Sequence, residues 1–335
     1  VPLHMDKWFP PLSLPSIRTV HATFQDACWL GDFSQGWWGV VRSGRFYCAD
    51  DYLCKQAQQR HSSGQMWLSH NTSREISSDG RPTLIQAPSW YYAGFYHALI
   101  ESLPKMISFL QDLQSGSMQL LVTRSSEAKL LNQVFKYLRI QASNLVYAWG
   151  TADPPGPARF CNAKMHYVFS EGSSRHGSIR EVRQLRQALA LPWRPCLEQR
   201  SKQSLPGIVL LSRGHTAHRS LRNEVELVEN LKSLGRPVEV LLPGTDDLEK
   251  VIRVLACSEV VVGVHGANLA NMIYAPPGTK VVEILPVLPV KFVNSHYWTL
   301  AGVLDFRYSV VAQDLLPSDI NASALPEVQA VGSFS

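Results

Sequence analysis

The stretch VVVGVHGANLANMIYAPPGTKVVEILP at residues 260–286 decides the fold that the sequence predicts. Its first residues, up to Val264, are apolar and mostly β-branched, as in a strand that is buried on both faces. The tripeptide HGA at residues 265–267 interrupts this run, residues that can start a helix follow, and a second apolar run begins at Val281. A strand, a tight turn, a short helix and a second strand are half of a nucleotide-binding α/β unit.

The same alternation continues on the N-terminal side of this stretch. From residue 84 onward, short apolar runs alternate with segments of helical spacing, which predicts parallel sheets covered by helices. A polar segment at residues 197–206 separates two such series. We therefore expect an α/β protein with two Rossmann-like lobes and a cleft between them, where such folds bind ligands. The expected bounds are an N-terminal lobe at 86–198, a C-terminal lobe at 199–312 and a tail at 313–335.

Residues 1–85 have a different character, with early prolines and short aromatic runs broken by glycine. This pattern predicts an irregular Trp-rich N-terminal arm that includes a small β element. Four tryptophans would supply its packing mass: Trp29, Trp37, Trp38 and Trp67. An exposed tryptophan could instead stack on a sugar ring.

Composition and charge limit the class of partner. The chain has 335 residues, 45% of them hydrophobic and 18% charged, which is typical of a soluble globular protein. The net charge of +5 suits an anionic ligand, but lysine and arginine are spread along the chain rather than clustered. A diphosphate-bearing small molecule therefore fits better than nucleic acid. No run is long enough to cross a bilayer, and because the chain opens on Val1, an anchor could have been removed.

The six cysteines bear on the cellular compartment. They are too few and too scattered for a disulfide scaffold, and their spacing is not that of a zinc site. Cys48 and Cys54 are either bridged across a hairpin, which would imply an oxidising compartment, or buried free thiols. The sequons at Asn71 and Asn321 point weakly to the same compartment.

The segment from His265 to Asn268 lies where a strand meets a helix N-terminus. Backbone N–H groups and the helix dipole favour a phosphate at such a position. Gly266 and Ala267 would let a diphosphate approach the backbone, and His265 could donate a hydrogen bond to it. Alternatively, Gly266 permits only a turn, and His265 is a hydrogen-bonded structural residue.

Glu283 interrupts an otherwise apolar strand, where a carboxylate is costly unless it is paired. An acid at this point of a nucleotide-binding sheet can accept hydrogen bonds from both ribose hydroxyls. The alternative is an ion pair with a nearby arginine.

Two arginines are candidates for binding phosphate oxygens. The strand GIVLLSR at residues 207–213 ends in Arg213, which then enters a glycine-containing loop, and Arg219 follows in that loop. The planar guanidinium fork matches phosphate oxygens, and a loop at the carboxyl end of a strand is the usual ligand side. Ordinary solvated arginines are the alternative, for the neighbouring Arg222 above all.

His97 and Glu101 are four residues apart in a segment of helical spacing, so they lie on one helix face. Such a pair could supply a general base for an acceptor hydroxyl, with one residue orienting the other. A routine pair of this spacing, without function, is the alternative.

Four segments together resemble glycosyltransferase family 61. They are YHALIESLP at residues 96–104, the arginine-rich stretch at 212–224, VVGVHGANLANMIYAPPGTKVVEILP at 261–286 and HYWTLAGVLDFRY at 296–308. The resemblance covers about residues 90–310. The family includes plant β1,2-xylosyltransferases, xylosyl and arabinosyl transferases of xylan, and O-linked GlcNAc transferases of the animal secretory pathway.

The resemblance implies a GT-B architecture, an inverting mechanism and a UDP-sugar donor held mainly by the C-terminal lobe. It implies that Arg213 and Arg219 meet the diphosphate, that residues 265–267 line it and that Glu283 holds the ribose. Glu101 takes the position of the carboxylate of the N-terminal lobe, and we interpret it as the base. The spacing His-x-x-x-Glu-x-x-Pro at residues 97–104 departs from the plant pattern, which leaves the donor and the acceptor open.

We therefore predict a glycosyltransferase that acts on a glycan or glycoprotein, with xylose as the first choice of sugar and GlcNAc or arabinose as the others. No cofactor is expected, and no metal, since the chain has no Asp-x-Asp motif. We expect it in the lumen of the Golgi or endoplasmic reticulum, anchored through a segment outside this chain; a bacterial-type cytoplasmic enzyme is the alternative. A non-catalytic nucleotide-sugar- or carbohydrate-binding protein is the rival function. A nicotinamide-dependent enzyme is disfavoured, because no G-x-G-x-x-G follows a strand.

Overall fold

The short apolar runs of the sequence form two β-sheets, one in each half of the chain. The structure is a computed structural model, and it describes residues 19–32, 37–47, 74–86, 95–122, 128–148, 157–170, 178–190, 207–214, 221, 223–244, 246–285 and 296–312. Residues 15–191 form one unit, the N-terminal lobe; residues 192–335, together with 1–14, form the other, the C-terminal lobe. The predicted linker at 197–206 lies outside the described residues, and the cleft stays a prediction.

The N-terminal lobe contains an eight-stranded mixed sheet. Its strands are β1 Thr19–Asp32, β2 Trp37–Arg42, β3 Arg45–Tyr47, β4 Arg74–Ile76, β5 Thr83–Gln86, β6 Gln119–Val122, β7 Leu145–Tyr147 and β8 Pro157–Ser170. They follow the order β3-β2-β1-β8-β5-β6-β7, with β4 also paired to β8. The strands β8, β5, β6 and β7 are parallel, as the alternation predicts, whereas β1, β2 and β3 add an antiparallel ribbon.

The predicted boundary at residue 85 needs correction. We assigned residues 1–85 to a separate arm, but β1 lies inside the lobe, where it pairs antiparallel to β8 from Thr19↔Ser170 to Asp32↔Pro157. This pairing joins segments that are far apart in the sequence, so no local pattern reveals it. Trp29 is fully buried in the resulting core, as expected for a packing residue. The side chains of Trp37, Trp38 and Trp67 lie outside the described part of the chain.

A disulfide bond fastens β1 to β8. Cys28 and Cys161 face each other in the register of the two strands and are bonded to each other. Cys257 is also disulfide-bonded. The sequence had singled out Cys48 and Cys54, which lie outside the described residues, so that pairing stays a prediction.

The described residues of this lobe form three longer helical elements, besides a 3₁₀ turn at Ala142–Asn144. The first, α1, spans residues 97–115 and changes from a π-helical turn, His97–Ser102, through Leu103–Met106 and a 3₁₀ turn, Ile107–Phe109, to Leu110–Ser115. The other two are α2, Ala128–Tyr137, and α3, Ile179–Ala190. Leu99, Leu103 and Met106 are buried, and so is every other residue from Ala98 to Met106, so this part of α1 is buried on all sides.

The C-terminal lobe contains a five-stranded sheet in which all strands are parallel. Its strands are β9 Ile208–Leu211, β10 Val238–Leu241, β11 Val260–Val264, β12 Lys280–Leu285 and β13 Arg307–Ala312. The helices are α4 Glu224–Lys232, α5 Leu248–Ala256, the 3₁₀ helix Ala267–Tyr274 and α6 His296–Val303. This is the α/β alternation that the sequence predicts for the lobe.

The strand order β10-β9-β11-β12-β13 contains one reversal. The chain moves from β9 outward to β10, then crosses back to β11 and continues in the other direction. Open parallel sheets bind ligands outside the carboxyl ends of their strands at such a switch point. The loops after β9 and β11 are therefore the place to look for a ligand site in this lobe.

The helix α5 begins at an aspartate. Asp247 is the N-cap residue, and its carboxylate accepts a hydrogen bond of 3.1 Å from the Glu249 N–H. Threonine and aspartate both cap well, so the sequence TDDLEK at 245–250 offered several candidates for one position.

A lysine lies buried where α1 packs against α3. Lys105 is 4% exposed, and burial lowers its pKa from 10.5 to about 8, against the opposing influence of the Glu101 and Glu181 carboxylates. Glu181 is itself fixed, because it accepts hydrogen bonds from the Thr19 hydroxyl and from the Ser178 N–H. A cation and two carboxylates therefore share the interior of this lobe.

Lys105 should make the stability of the protein depend on pH in the alkaline range. Its pKa in the folded protein, about 8, lies below the ordinary 10.5, so the unfolded chain binds more protons between these values. The free energy of unfolding should therefore rise with pH across this window, by at most about 1.4 kcal/mol per pH unit from this residue.

Urea unfolding between pH 7 and 10.5 gives the free energy of unfolding of the wild type and of Lys105→Met. The difference between these two free energies should change with pH. Lys136→Met, at an exposed lysine in the last turn of α2, is the matched control and should give a constant difference. A constant difference for Lys105→Met as well would contradict the prediction.

Candidate active site

The loops after β9 and β11 lie side by side at the switch point of the C-terminal sheet. The two strands are parallel neighbours, with Leu211 opposite Gly263, so Arg213 and His265 leave the sheet at the same edge. The Arg213 guanidinium lies 3.5 Å from the His265 carbonyl oxygen, to which Nη1 donates. The sequence had predicted that these two residues share a phosphate site, and the structure brings them together.

Gly266 makes this close approach possible. Its φ is +151°, and a Cβ at this position would lie 1.8 Å from Arg213 Nη1. Any side chain would thus displace the guanidinium. The sequence had suggested that this glycine gives a ligand access to the backbone; in the structure, the group that occupies the space is Arg213.

Asn268 connects the two loops. Its side-chain amide donates a hydrogen bond of 3.1 Å to the Ser212 carbonyl oxygen, which makes it a support for the loop that carries Arg213. Ala267 and Asn268 begin the 3₁₀ helix, and the first N–H groups of a helix have no partner within the helix. This N-terminus is therefore a place where an anion is favoured.

Ser212 fixes the loop after β9, and sequence reasoning did not identify it. Its hydroxyl donates to the Glu224 carboxylate, with oxygen distances of 2.8 and 2.9 Å, and accepts from the Gly214 N–H at 2.9 Å. Glu224 starts α4, so the hydroxyl ties both ends of the segment between β9 and α4. No sequence signal distinguishes this serine from the many others.

Glu283 has partners other than the predicted one. Its side chain is 2% exposed, one oxygen lies 2.5 Å from His265 Nδ1, and the other accepts a hydrogen bond from the Tyr308 hydroxyl. We had predicted that this carboxylate accepts bonds from ribose hydroxyls. In the structure, the Glu283 carboxylate contacts the His265 imidazole instead. Its second partner, Tyr308 on the neighbouring strand β13, is a residue that the sequence did not single out.

Among the residues predicted for the donor, Arg219 lies outside the described ranges, so its contact with a diphosphate stays a prediction. The other six, Arg213, His265, Gly266, Ala267, Asn268 and Glu283, belong to one connected group in the C-terminal lobe.

The second predicted pair lies in the N-terminal lobe, on the π-helical turn of α1. His97 Nδ1 and Glu101 Oε2 are 2.9 Å apart, which is within ion-pair distance. The His97 side chain is 17% exposed, whereas that of Glu101 is fully buried. π-helical turns are rare and occur frequently at functional sites.

The burial of Glu101 changes the roles within the pair. A carboxylate without exposed surface cannot touch an acceptor hydroxyl, so our interpretation of Glu101 as the direct base disagrees with its position. His97 is the member that solvent reaches. One turn further along α1, Lys105 lies close enough for the Glu101 carboxylate to act on its charge.

The described residues contain no group of three or more His, Cys, Asp or Glu side chains that could hold a metal ion. Within the same residues, no helix has the length and apolar character needed to span a membrane. Metal independence stays a prediction.

Known proteins resemble this chain in sequence and, more weakly, in structure. Xylan glycosyltransferase MUCI21 from Arabidopsis thaliana is 39% identical over 114 residues, which are 34% of this chain and 23% of that protein. Among solved structures, the dodecameric iron-containing glycosyltransferase TibC of enterotoxigenic E. coli H10407 aligns over 81% of this chain and 78% of its own, with 12% identity and a TM-score of 0.30. The E. coli heptosyltransferase WaaC aligns over 75% of this chain and 99% of its own, with 14% identity and a TM-score of 0.31.

The family model described as Glycosyltransferase 61 matches residues 95–282, more than half of the chain. This range contains the His97–Glu101 pair and, in the C-terminal lobe, the loops after β9 and β11. It confirms the resemblance that the sequence motifs indicated. The chain belongs to the glycosyltransferase 61 family.

Proposed function

We propose that the protein is an inverting glycosyltransferase of GT-B architecture that transfers a sugar from a UDP-sugar to a hydroxyl of a glycan or glycoprotein. Family membership supports the reaction class, and two lobes that each carry an α/β sheet support the architecture. The relative named as a xylan glycosyltransferase supports a glycan acceptor of the xylan class, and xylose stays our first choice of sugar, ahead of GlcNAc or arabinose. The observation that carries the proposal is the convergence of Arg213, His265 and a helix N-terminus at the switch point.

These groups fit the chemistry of a departing diphosphate. In a single displacement, the acceptor oxygen bonds to the anomeric carbon while the bond from that carbon to the UDP oxygen breaks. Negative charge then grows on the β-phosphate, and preorganised donors stabilise it. The Arg213 guanidinium, the His265 ring and the first N–H groups of the 3₁₀ helix supply such donors, so the reaction as proposed uses no metal.

The His97–Glu101 pair fits the other half of the reaction. The attacking hydroxyl must lose its proton, and a neutral imidazole can accept it. We assign this step to His97, because its side chain is reached by solvent, and we assign the compensation of the resulting imidazolium to the buried Glu101 carboxylate. The buried Lys105 lies behind Glu101 as a balancing cation.

The Cys28–Cys161 bond supports a location in an oxidising compartment, since structural disulfides are rare where thiols are kept reduced. We therefore place the enzyme in the lumen of the secretory pathway.

The donor is identified by offering UDP-xylose, UDP-GlcNAc, UDP-arabinose and UDP-glucose to the protein. We expect one of them, UDP-xylose first, to raise the melting temperature and to release UDP when a xylan or glycoprotein acceptor is present. Binding of a UDP-sugar without release of UDP, whichever acceptor is present, would indicate the rival function, a non-catalytic nucleotide-sugar-binding protein. No response to any UDP-sugar would refute the donor assignment.

Gly266→Ala should weaken UDP binding about 10- to 100-fold, the range expected when hydrogen bonds from a charged donor are lost. The new methyl group would collide with Arg213 Nη1 and move the guanidinium off the loop. Isothermal titration with UDP measures the effect. Gly278→Ala is the matched control: Gly278 also has a positive φ, +81°, but a Cβ there meets nothing within 4 Å. Equal losses in both variants would mean that backbone strain, and not the collision, is responsible.

His97→Gln and Glu101→Gln should each lower kcat by about 10²- to 10⁴-fold, the usual contribution of general base catalysis, while the Kd for UDP stays unchanged. Both variants keep the approximate size of the side chain, so the lobe should still fold. His166→Gln, at a histidine of β8 whose ring contacts the Thr23 hydroxyl, serves as the control and should keep its kcat. Full turnover in His97→Gln would remove the pair from the mechanism.

A further inference from the structure

Glu283, His265 and Tyr308 form a connected cluster on three neighbouring strands of the C-terminal sheet. Glu283 lies opposite Gly263 on β11 and Val310 on β13, and Tyr308 lies opposite Val281. Residues two apart on a strand share a face, so Glu283, Tyr308 and the residue two beyond Gly263, His265, lie on one face of the sheet. The strand pairing therefore sets this cluster before any ligand arrives.

We propose that Glu283 and Tyr308 are positioning residues that hold the His265 ring so that its Nε2 atom meets the diphosphate of the donor. The inference rests on the proposed function. It assigns to Glu283 a role through His265 in place of a contact with the ribose.

The burial of Glu283 argues against direct contact with a nucleoside. A buried carboxylate is tolerated when it is hydrogen-bonded, and Glu283, at 2% exposure, is held by His265 through one oxygen and by Tyr308 through the other. Two ribose hydroxyls would need an exposed edge of this carboxylate, and almost none is present.

The imidazole is constrained from several sides. Its own backbone N–H donates to the Ile284 carbonyl oxygen at 2.9 Å, which fixes the start of the side chain. The ring of Tyr297, from α6, meets it edge-on with 5.4 Å between centroids. Together with the contact of Nδ1 to Glu283, these interactions restrict both the position and the rotation of the ring.

This arrangement determines what His265 can offer a ligand. Since Nδ1 donates to Glu283, only Nε2 remains, and it accepts when the ring is neutral and donates when the ring is protonated. Phosphate oxygens only accept, so the bound state needs the protonated ring. Glu283 is the counter-ion of this protonated ring. Besides Glu283, the groups around the ring are Tyr308, Tyr297 and the Arg213 guanidinium at its carbonyl.

A double-mutant cycle separates positioning from ribose binding. Glu283→Gln should weaken UDP binding roughly tenfold in the wild type and should have no further effect in a His265→Gln background, because it acts through that ring. The difference in affinity between UDP and 2′-deoxy-UDP should survive in Glu283→Gln. Additive losses, or loss of the discrimination by the 2′-hydroxyl, would overturn the proposal and restore the ribose contact.

A measurement without ligand keeps this inference distinct from the proposed function. In the free protein labelled with ¹⁵N-histidine, the Nδ1 proton of His265 should give a downfield, slowly exchanging NMR signal, assigned by its loss in His265→Gln. The signal should persist in Tyr308→Phe and shift strongly upfield in Glu283→Gln. Absence of this signal from the wild type would overturn the proposal that Glu283 positions the His265 ring. Presence of the signal in a protein that binds no UDP would refute only the donor assignment.

Discussion

The parallel pairing of β9 with β11 is the constraint on which the candidate site depends. It sets the carboxyl ends of two strands side by side, although the chain makes a complete excursion through β10 between them. Arg213 is the second residue beyond the end of β9 and His265 is the first beyond the end of β11, so the register brings them close enough for the Arg213 guanidinium to bond the His265 carbonyl oxygen. Gly266 completes the arrangement by leaving the space that the guanidinium fills.

The N-terminal lobe depends on a different kind of interaction, the sharing of buried charge. Glu101 and Glu181 flank Lys105, and His97 brings the edge of this group toward solvent. A buried ion pair adds little net stability, because desolvation offsets the attraction, but removal of one partner leaves the other charge uncompensated. His97, which we propose as the base, contacts Glu101 in the group of charges that lies where α1 packs against α3.

The sequence predicted those parts of the structure that local patterns encode. Alternating apolar runs indicated the parallel strands, and the ends of those strands located Arg213 and His265. The partners of Glu283 could not be predicted, since Tyr308 reaches it only through the pairing of β12 with β13. Helical spacing placed His97 and Glu101 on one face, but it does not show which of two neighbours on that face is buried. The pairing of β1 with β8 joins segments too distant for any periodicity to connect.

The bond between Cys28 and Cys161 has a topological consequence. With a sequence separation of 133 residues, it closes most of the N-terminal lobe into a covalent ring whose two ends are adjacent strands of one sheet. The bond holds these two segments together in the unfolded chain as well, so it removes chain entropy that folding would otherwise have to overcome. The antiparallel pairing of β1 with β8, which is the most distant pairing of this sheet along the sequence, is thereby the one that the covalent structure already brings together.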